Sequence, residues 1–222
     1  MAIIVPSILE DNINSFDKRL AAILAIPEVQ RIQIDFSDGK FTPRKTVELA
    51  ELDSLSPAYF WEGHFMVENP DSYFFDAKVA GFSAFILHFE AISDKTKIKS
   101  YVEELQKYKM SAGLAINPET EIQEVFPYLD LFGQILVLGV KPGYQGQEIS
   151  SAAPQRIKTL KNRKKNVKIE IDGGVKLSNA RELLLAGAEM FVVGSALFDP
   201  GDKGQNTPSQ NFEKFQKETQ NL

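Results

Sequence analysis

The chain has 222 residues, a length that fits a single β-sandwich or α/β barrel. Its composition, 43% hydrophobic and 25% charged residues, is typical of a globular protein. It contains no cysteine, which excludes disulfides, thiolate catalysis and cysteine-ligated metals. A net charge of −5 disfavours nucleic acid as a partner, because binding to a phosphate backbone needs clustered cations.

The amino terminus, MAIIVPSILEDN, lacks the basic region of a signal peptide and turns acidic after nine residues. The chain also lacks a run of 18 apolar residues that would cross a membrane. These features predict a cytoplasmic protein without a membrane partner. The only basic cluster, 158–168, is interpreted as the solvated end of a helix.

Short β-rich runs alternate with amphipathic stretches along the whole chain. Strands are predicted at 3–8, 30–36, 58–67, 82–89, 111–116, 133–140, 167–171 and 190–194. Helices are predicted after Asn14, behind Pro70, and in a segment that Ser178 caps and Gly187 ends.

Eight strands, each followed by a helix-period segment, predict the α/β class and a (β/α)8 TIM barrel. A doubly wound open sheet is the structural alternative. With no linker or repeat, residues 1–222 are interpreted as one barrel domain. A surface loop at about 199–210 and a short carboxyl-terminal helix complete it.

A barrel would gather the polar residues at the carboxyl ends of its strands into one site. Those residues are Ser7, Gln33, Asp35, His64, His88, Asn117, Lys141, Asp172 and Ser195. Core packing explains such a set poorly, because unpaired buried polar groups cost several kcal/mol.

Two carboxylates, Asp35 and Asp172, are predicted to face each other across the barrel mouth. Such a pair suits removal of a proton from one face of a carbon and its delivery to the other face. Asp38, directly before Gly39, is instead interpreted as a turn residue.

His64 combines with the two aspartates into a reasonable site for a divalent metal. Such an ion would polarise a carbonyl and stabilise an enediolate. The second histidine, His88, is assigned an orienting or structural role.

Glycine-rich segments follow the last three predicted strands, as KPGYQGQ at 141–147, DGG at 172–174 and GS at 194–195. Glycine lets backbone amides approach an anion closely. Because loops after the last strands of a barrel often bind phosphate, we expect a phosphate site there.

In order and spacing, the chain from Val5 to Phe198 resembles the ribulose-phosphate 3-epimerases. The matching stretches are PSIL (6–9), DFSDGKFTP (35–43), HFMV (64–67), HFE (88–90), INPET (116–120), KPGYQGQ (141–147), DGGV (172–175), AGA (186–188) and GSALF (194–198). The resemblance implies a TIM barrel, a place in the pentose phosphate pathway and a homo-oligomer. It also implies metal-dependent inversion at carbon 3 of a ketopentose 5-phosphate.

The same resemblance implies site roles. Asp35 is the expected base and Asp172 the acid, and Asp35, His64 and Asp172 occupy metal-ligand positions. Expected contacts to substrate and phosphate are Ser7, His64, Gly143, Tyr144, Gln145, Gly146, Gly173, Gly174, Gly194 and Ser195.

Several residues depart from the family pattern. Gln33 stands where a metal-binding histidine is usual, and Ser37 and Leu138 replace methionines, of which only Met66 remains. Further replacements are Arg44, Lys141 and Gln145. A glutamine oxygen is a poorer zinc ligand than imidazole, so Gln33 predicts one weakly bound divalent ion, shifted from zinc toward manganese, magnesium or iron.

Two alternatives stay open. Lys141 could form a Schiff base with a sugar-phosphate carbonyl, as in barrel aldolases. It could instead supply the positive charge that a weakened metal site lacks, contact phosphate directly, or be a solvated lid residue. The substitutions around the site also permit a catalytically silent barrel that only binds sugar phosphates.

Overall fold

A computed structural model describes residues 2–144, 146–198 and 206–220. Eight parallel strands form a closed barrel in sequence order. They are β1 (Ile3–Ile8), β2 (Arg31–Ser37), β3 (Phe60–Met66), β4 (Ala84–His88), β5 (Ser111–Ile116), β6 (Gln134–Leu138), β7 (Lys168–Asp172) and β8 (Met190–Val193). Because β1 pairs with both β2 and β8, the open sheet is excluded and the predicted (β/α)8 barrel is confirmed.

The strand boundaries lie within two residues of those predicted, and β1 and β5 match at both ends. Strand β2 shows why the alternation of apolar and polar residues predicted the strands. Ile32, Ile34 and Phe36 join the large apolar cluster of the protein, while Gln33 bonds to a side chain of β7 across the barrel interior. Alternate residues of a strand thus enter two different environments, both buried.

The α-helices are α1 (Ile13–Leu24), α2 (Phe74–Ala80), α3 (Ile98–Lys107), α4 (Ala153–Arg163), α5 (Leu177–Ala186), α6 (Ser195–Phe198) and α7 (Pro208–Gln220). Helix α1 begins two residues before the predicted start, because the Asn12 side chain accepts a 2.9 Å hydrogen bond from the Ser15 amide. Within the described segments, no helix combines the length and apolar character that crossing a bilayer requires.

Two connections lack the α-helix that the pattern predicted. Only the 3₁₀ turn Leu49–Glu51 is helical between β2 and β3, and the β5–β6 connection holds a 3₁₀ run, Ile122–Leu131. That run contains Pro127, which has no amide hydrogen and so interrupts α-helical hydrogen bonding. Shorter 3₁₀ segments, Pro70–Tyr73 and Lys95–Lys97, precede α2 and α3.

Of the two predicted ends of α5, the structure confirms the carboxyl-terminal one and not the amino-terminal one. Gly187 ends the helix with a left-handed φ of 112°, as expected. Ser178 lies inside the first turn, so its assignment as the cap is wrong. The Asn179 side chain instead accepts from the Lys176 amide at 2.9 Å and donates to the Gly174 carbonyl at 2.9 Å. This contact ties the start of α5 to the loop after β7.

A layer of charged and amide side chains, which we call the barrel floor, fills the interior below the strand ends. Arg31 donates to Glu62 Oε2 at 2.6 Å and to Gln134 Oε1 at 2.5 Å, and Gln134 donates to Glu170 Oε2. Burial, followed by the charge of Glu62, holds the pKa of Glu170 well above its usual range. The hydrophobic pattern of the strands did not predict this layer.

The predicted loop at 199–210 falls mainly on 199–205, outside the described residues. Helix α7 follows it and packs against α5, α6 and β1. The organisation as one domain over 1–222 stays a prediction.

Candidate active site

Six of the nine polar residues predicted at the strand ends line one cavity. Its lining includes Ser7, Asp35, His64, Lys141, Gly143, Tyr144, Gly146, Asp172, Gly173, Gly174, Gly194 and Ser195. Among the described residues, Gln33, His88 and Asn117 do not belong to this lining. Gln145 lies outside the described residues. The lining comes from six of the eight strands or their following loops, as the barrel topology leads us to expect.

Asp35, His64 and Asp172 form a compact cluster at the base of the cavity. The strand register pairs Asp35 of β2 with His64 of β3, and β7 ends at Asp172. His64 Nδ1 lies 2.8 Å from Asp35 Oδ1 and 3.5 Å from Asp172 Oδ2. One ligand atom from each residue lies within 4.8 Å of the others. Two carboxylates and an imidazole at this spacing could hold a divalent cation.

Gln33 lies fully buried between the two carboxylates. Its Nε2 donates to Asp35 Oδ1 at 2.7 Å and to Asp172 Oδ2 at 3.0 Å. Its Oε1 is buried and has no hydrogen-bond partner. The amide therefore presents its nitrogen to the cluster, and a half-turn of the amide would be needed to present the oxygen to a cation. The assignment of Gln33 as a metal ligand stays a prediction.

The cluster holds protons tightly. Burial and the charge of Asp35 raise the pKa of Asp172 to about 7. Burial on its own would lower the pKa of His64, but the hydrogen bond to Asp35 and the surrounding negative charges outweigh it and raise that pKa. A cation that binds here would replace protons between like-charged oxygens, so the donor set fits a divalent ion.

His64 also contacts His88, for which the sequence predicts an orienting or structural role. His64 Nε2 lies 2.7 Å from His88 Nε2, and His88 Nδ1 lies 3.4 Å from Glu90 Oε2. Burial lowers the pKa of His88 to about 4, so this imidazole is neutral. Glu90 was not predicted as a site residue, because it lies beyond the end of β4, two residues after His88.

The glycines after β7 meet a steric requirement. Gly174 has a φ of +72°, and a Cβ there would lie 2.6 Å from the backbone nitrogen of Ile149. Gly173 has a φ of +90°, and its Cβ would lie 2.4 Å from Val140 Cγ2. The loops after β6 and β7 therefore approach each other more closely than a side chain would allow. This packing exposes backbone at the cavity wall, as an anion site requires.

The departures from the family pattern take up different positions. Leu138 and Met66 line the cavity, whereas Ser37 does not. The Ser37 hydroxyl lies 2.6 Å from the Thr42 hydroxyl and donates to the Arg44 carbonyl at 2.6 Å. Further lining residues that the sequence did not suggest are Leu9, Val140, Pro142, Gln147, Val175, Val192 and Ala196. They are mostly apolar, and no polar pattern could have marked them.

Asp38 has the turn role that its Asp-Gly sequence predicted. Its carboxylate accepts from the amides of Lys40 and Phe41 at 2.8 and 2.9 Å, and from the Glu68 amide at 2.9 Å. Burial opposes ionisation, but these three backbone donors outweigh it and lower the pKa of Asp38. The residue joins the loops after β2 and β3 and takes no part in the cavity lining.

Comparisons with known proteins agree with this geometry. The model of the ribulose-phosphate 3-epimerase family matches residues 3–198. The ribulose-phosphate 3-epimerase of Chlamydia trachomatis is 34% identical over 176 residues, which cover 76% of this chain and 74% of the relative. The Escherichia coli K12 enzyme of the same name is 30% identical over 210 residues, 90% of each chain.

Among solved structures, orotidine 5′-phosphate decarboxylase from Pyrococcus horikoshii superposes with a TM-score of 0.65. The match covers 99% of this chain and all of the decarboxylase, but at 14% identity it supports the fold alone. The family model and the sequence relatives carry the assignment. The chain belongs to the ribulose-phosphate 3-epimerase family of isomerases.

Proposed function

We propose that the protein inverts carbon 3 of a phosphorylated ketose, interconverting ribulose 5-phosphate and xylulose 5-phosphate. Proton transfer by two carboxylates would pass through an enediolate. The observation that carries the proposal is the convergence of Asp35 and Asp172, from β2 and β7, on one cavity beside His64. Inversion needs a proton donor and an acceptor on opposite faces of one carbon, and a lone carboxylate cannot serve both faces.

Asp35 and Asp172 each have one oxygen in the hydrogen-bond network and one outside it. Gln33 binds Asp35 Oδ1 and Asp172 Oδ2, while the other oxygen of each accepts no hydrogen bond from the described residues. The first oxygen fixes the carboxylate and the second is available to exchange a proton with substrate. Asp172 would deliver a proton through its second oxygen while Asp35 removes the other. The roles exchange when the reaction runs in reverse.

Asp35, His64 and Asp172 would hold one divalent cation, and Gln33 is the candidate fourth ligand. When bound, the cation supplies Lewis-acid stabilisation of the negative charge that develops on substrate oxygens. The donor set of carboxylates, imidazole and amide suits manganese, magnesium or iron better than zinc, which prefers nitrogen and sulfur ligands.

The phosphate is proposed to bind at the part of the cavity that Gly173, Gly174, Gly194 and Ser195 line. Backbone amides of these loops would bind the phosphate group of the substrate. They would allow this although the protein itself has a net negative charge. Lys141 lines the same cavity and is exposed, so it can add the positive charge that glycines lack. Ser7 and the 143–146 loop complete the proposed substrate contacts, with Tyr144 and Gln145 in that loop.

The test is an assay that follows conversion of ribulose 5-phosphate to xylulose 5-phosphate with manganese, magnesium, iron(II) and zinc in turn. We expect turnover that a chelator removes and that the metal restores. Phosphate-ester binding without turnover under any metal would favour the silent barrel instead. Borohydride added with the substrate should leave no covalent adduct on Lys141, whereas an adduct would support the aldolase alternative.

A further inference from the structure

A chain of two buried histidines and one partly buried glutamate runs from the active-site cavity to the loop after β5. It begins at His64, passes through His88 and ends at Glu90. The two histidines are 1% and 0% exposed, and they are the only histidines in the sequence. The Phe41 ring packs over His88 with centroids 4.7 Å apart and shields it. Since solvent does not reach these imidazoles, each of their nitrogen atoms must find its partner within the protein.

The contact between the two imidazoles has the geometry of a hydrogen bond. The Nε2 atoms lie 2.7 Å apart, the ring centroids lie 4.9 Å apart, and the ring planes differ by 20°. The centroid separation exceeds the nitrogen separation by about two ring radii, so the rings lie edge to edge. One hydrogen must occupy this contact, because two lone pairs at this distance would repel. The proton belongs either to His64 or to His88.

Glu90 decides between the two arrangements. Its Oε1 accepts from the Asn117 amide at 2.8 Å and from the Thr120 hydroxyl. The loop that carries both donors is held by Arg156, which donates to the Thr120 and Asn117 carbonyls at 2.7 and 2.8 Å. Glu90 is therefore a fixed carboxylate acceptor, and its Oε2 faces His88 Nδ1.

A carboxylate facing His88 Nδ1 requires a proton on that nitrogen. A neutral imidazole carries only one proton, so His88 Nε2 is then an acceptor. The proton between the rings must consequently reside on His64 Nε2. The remaining nitrogen, His64 Nδ1, lies 2.8 Å from Asp35 Oδ1 and is the one that can give up its proton to a cation while Nε2 keeps its own.

We propose that Glu90 and His88 are positioning residues that fix the tautomer of His64, so that its Nδ1 can bind the catalytic cation. The inference rests on the proposed metal-dependent function. Neither residue belongs to the cavity lining among the described residues, so both act through His64. A metal-binding imidazole usually donates its second N–H to a carboxylate or a carbonyl. Here His88 is the acceptor for His64, and the Glu90 carboxylate in turn accepts from His88.

The first test is Glu90→Gln, which changes the charge and hardly changes the shape. The glutamine oxygen can accept from Asn117 and Thr120, which turns the NH2 group toward His88 Nδ1. His88 must then carry its proton on Nε2 and donate to His64, which keeps its own proton on Nδ1. Manganese affinity, measured by titration calorimetry, should fall about 10–100-fold. Glu28→Gln removes the same charge at an exposed site and should leave the affinity unchanged.

Nitrogen-15 NMR reads the tautomers directly, because the chain has only four imidazole nitrogens to assign. The metal-free protein should show a protonated Nε2 on His64 and a protonated Nδ1 on His88. The Glu90→Gln variant should move the His88 proton to Nε2. A His88 that is protonated at Nε2 in the unmodified protein, or an unchanged manganese affinity in Glu90→Gln, would overturn the proposal.

A second pair of variants tests the proposal in case Glu90→Gln does not fold. His88→Gln places an amide oxygen near the original Nε2 and should retain most of the manganese affinity, whereas His88→Leu should lose it. Equal affinities in these two variants would overturn the proposal. If the unmodified protein binds no divalent ion at all, the proposed function fails by itself. The NMR spectrum of the metal-free protein still decides the tautomer.

Discussion

Gln33 connects the two proposed acid–base residues through a single nitrogen atom. A histidine in this position could bind a cation with one ring nitrogen, whereas the amide donates two hydrogen bonds and leaves Oε1 buried without a partner. An unpaired buried acceptor costs about 1–3 kcal/mol. A cation would relieve that cost if the amide turned to present its oxygen.

Gln33→His should therefore raise the affinity for zinc and manganese, by tenfold or more, since imidazole is the stronger ligand. Titration of the metal-free protein measures the change. Gln30→His adds a histidine at an exposed position and serves as the matched control. An affinity that does not change in Gln33→His would show that residue 33 does not contact the metal.

The two aspartates should differ in what their amide variants retain. Asp35→Asn should abolish exchange of the carbon-3 hydrogen of ribulose 5-phosphate with solvent, because it removes the base. Asp172→Asn should block inversion and still permit exchange from one side. Removing a general acid or base typically costs about 10²–10⁴-fold in rate. Proton NMR in deuterated water measures both effects, and full activity in either variant contradicts the two-base assignment.

At the level of the elements, the barrel floor shows how a charged layer is accommodated inside a core. Arg31 balances one negative charge, while the layer contains two glutamates, Glu62 and Glu170. Both have an Oε1 that is buried without a partner. A proton on Glu170, shared with Glu62, neutralises the layer and satisfies both oxygens, in agreement with the raised pKa of Glu170.

Glu170→Gln should consequently stabilise the protein at alkaline pH. The folded state holds a proton on Glu170 that the unfolded chain releases above its ordinary pKa of about 4.5, so the native residue loses stability as pH rises from there. Glutamine needs no such proton and can still bond to Gln134 and Glu62. Urea unfolding at about pH 5 and pH 8 should show a gain for the variant that grows with pH. A variant less stable at both pH values would contradict the shared proton.

The elements also show which features the sequence could predict. The strands could be predicted because apolar residues alternate with polar residues that point into the barrel, as in β2. The missing α-helix before β6 could be suspected from Pro127 alone. The start of α5 could not, because the contact from Asn179 to Gly174 depends on where the β7 loop lies.

For the whole molecule, closure of the barrel brings residues that are distant in sequence together in one site. Ser7 and Ser195 are far apart in sequence, yet both line the cavity because β1 pairs with β8. Strand ends therefore predicted six residues of the cavity lining, including both aspartates and His64. The contact between His64 and His88 and the bridging amide of Gln33 could not be predicted, because they depend on side-chain directions inside the barrel. The homo-oligomer and the cytoplasmic location stay predictions.

The most direct test of the two-base account is turnover of ribulose 5-phosphate by the metal-loaded protein in deuterated water. NMR would follow carbon 3 of substrate and product during the first part of the reaction. The account predicts that xylulose 5-phosphate forms with deuterium at carbon 3, delivered by the second carboxylate, while unreacted ribulose 5-phosphate keeps its hydrogen. Product that retains the original hydrogen, or the absence of any product, would contradict it.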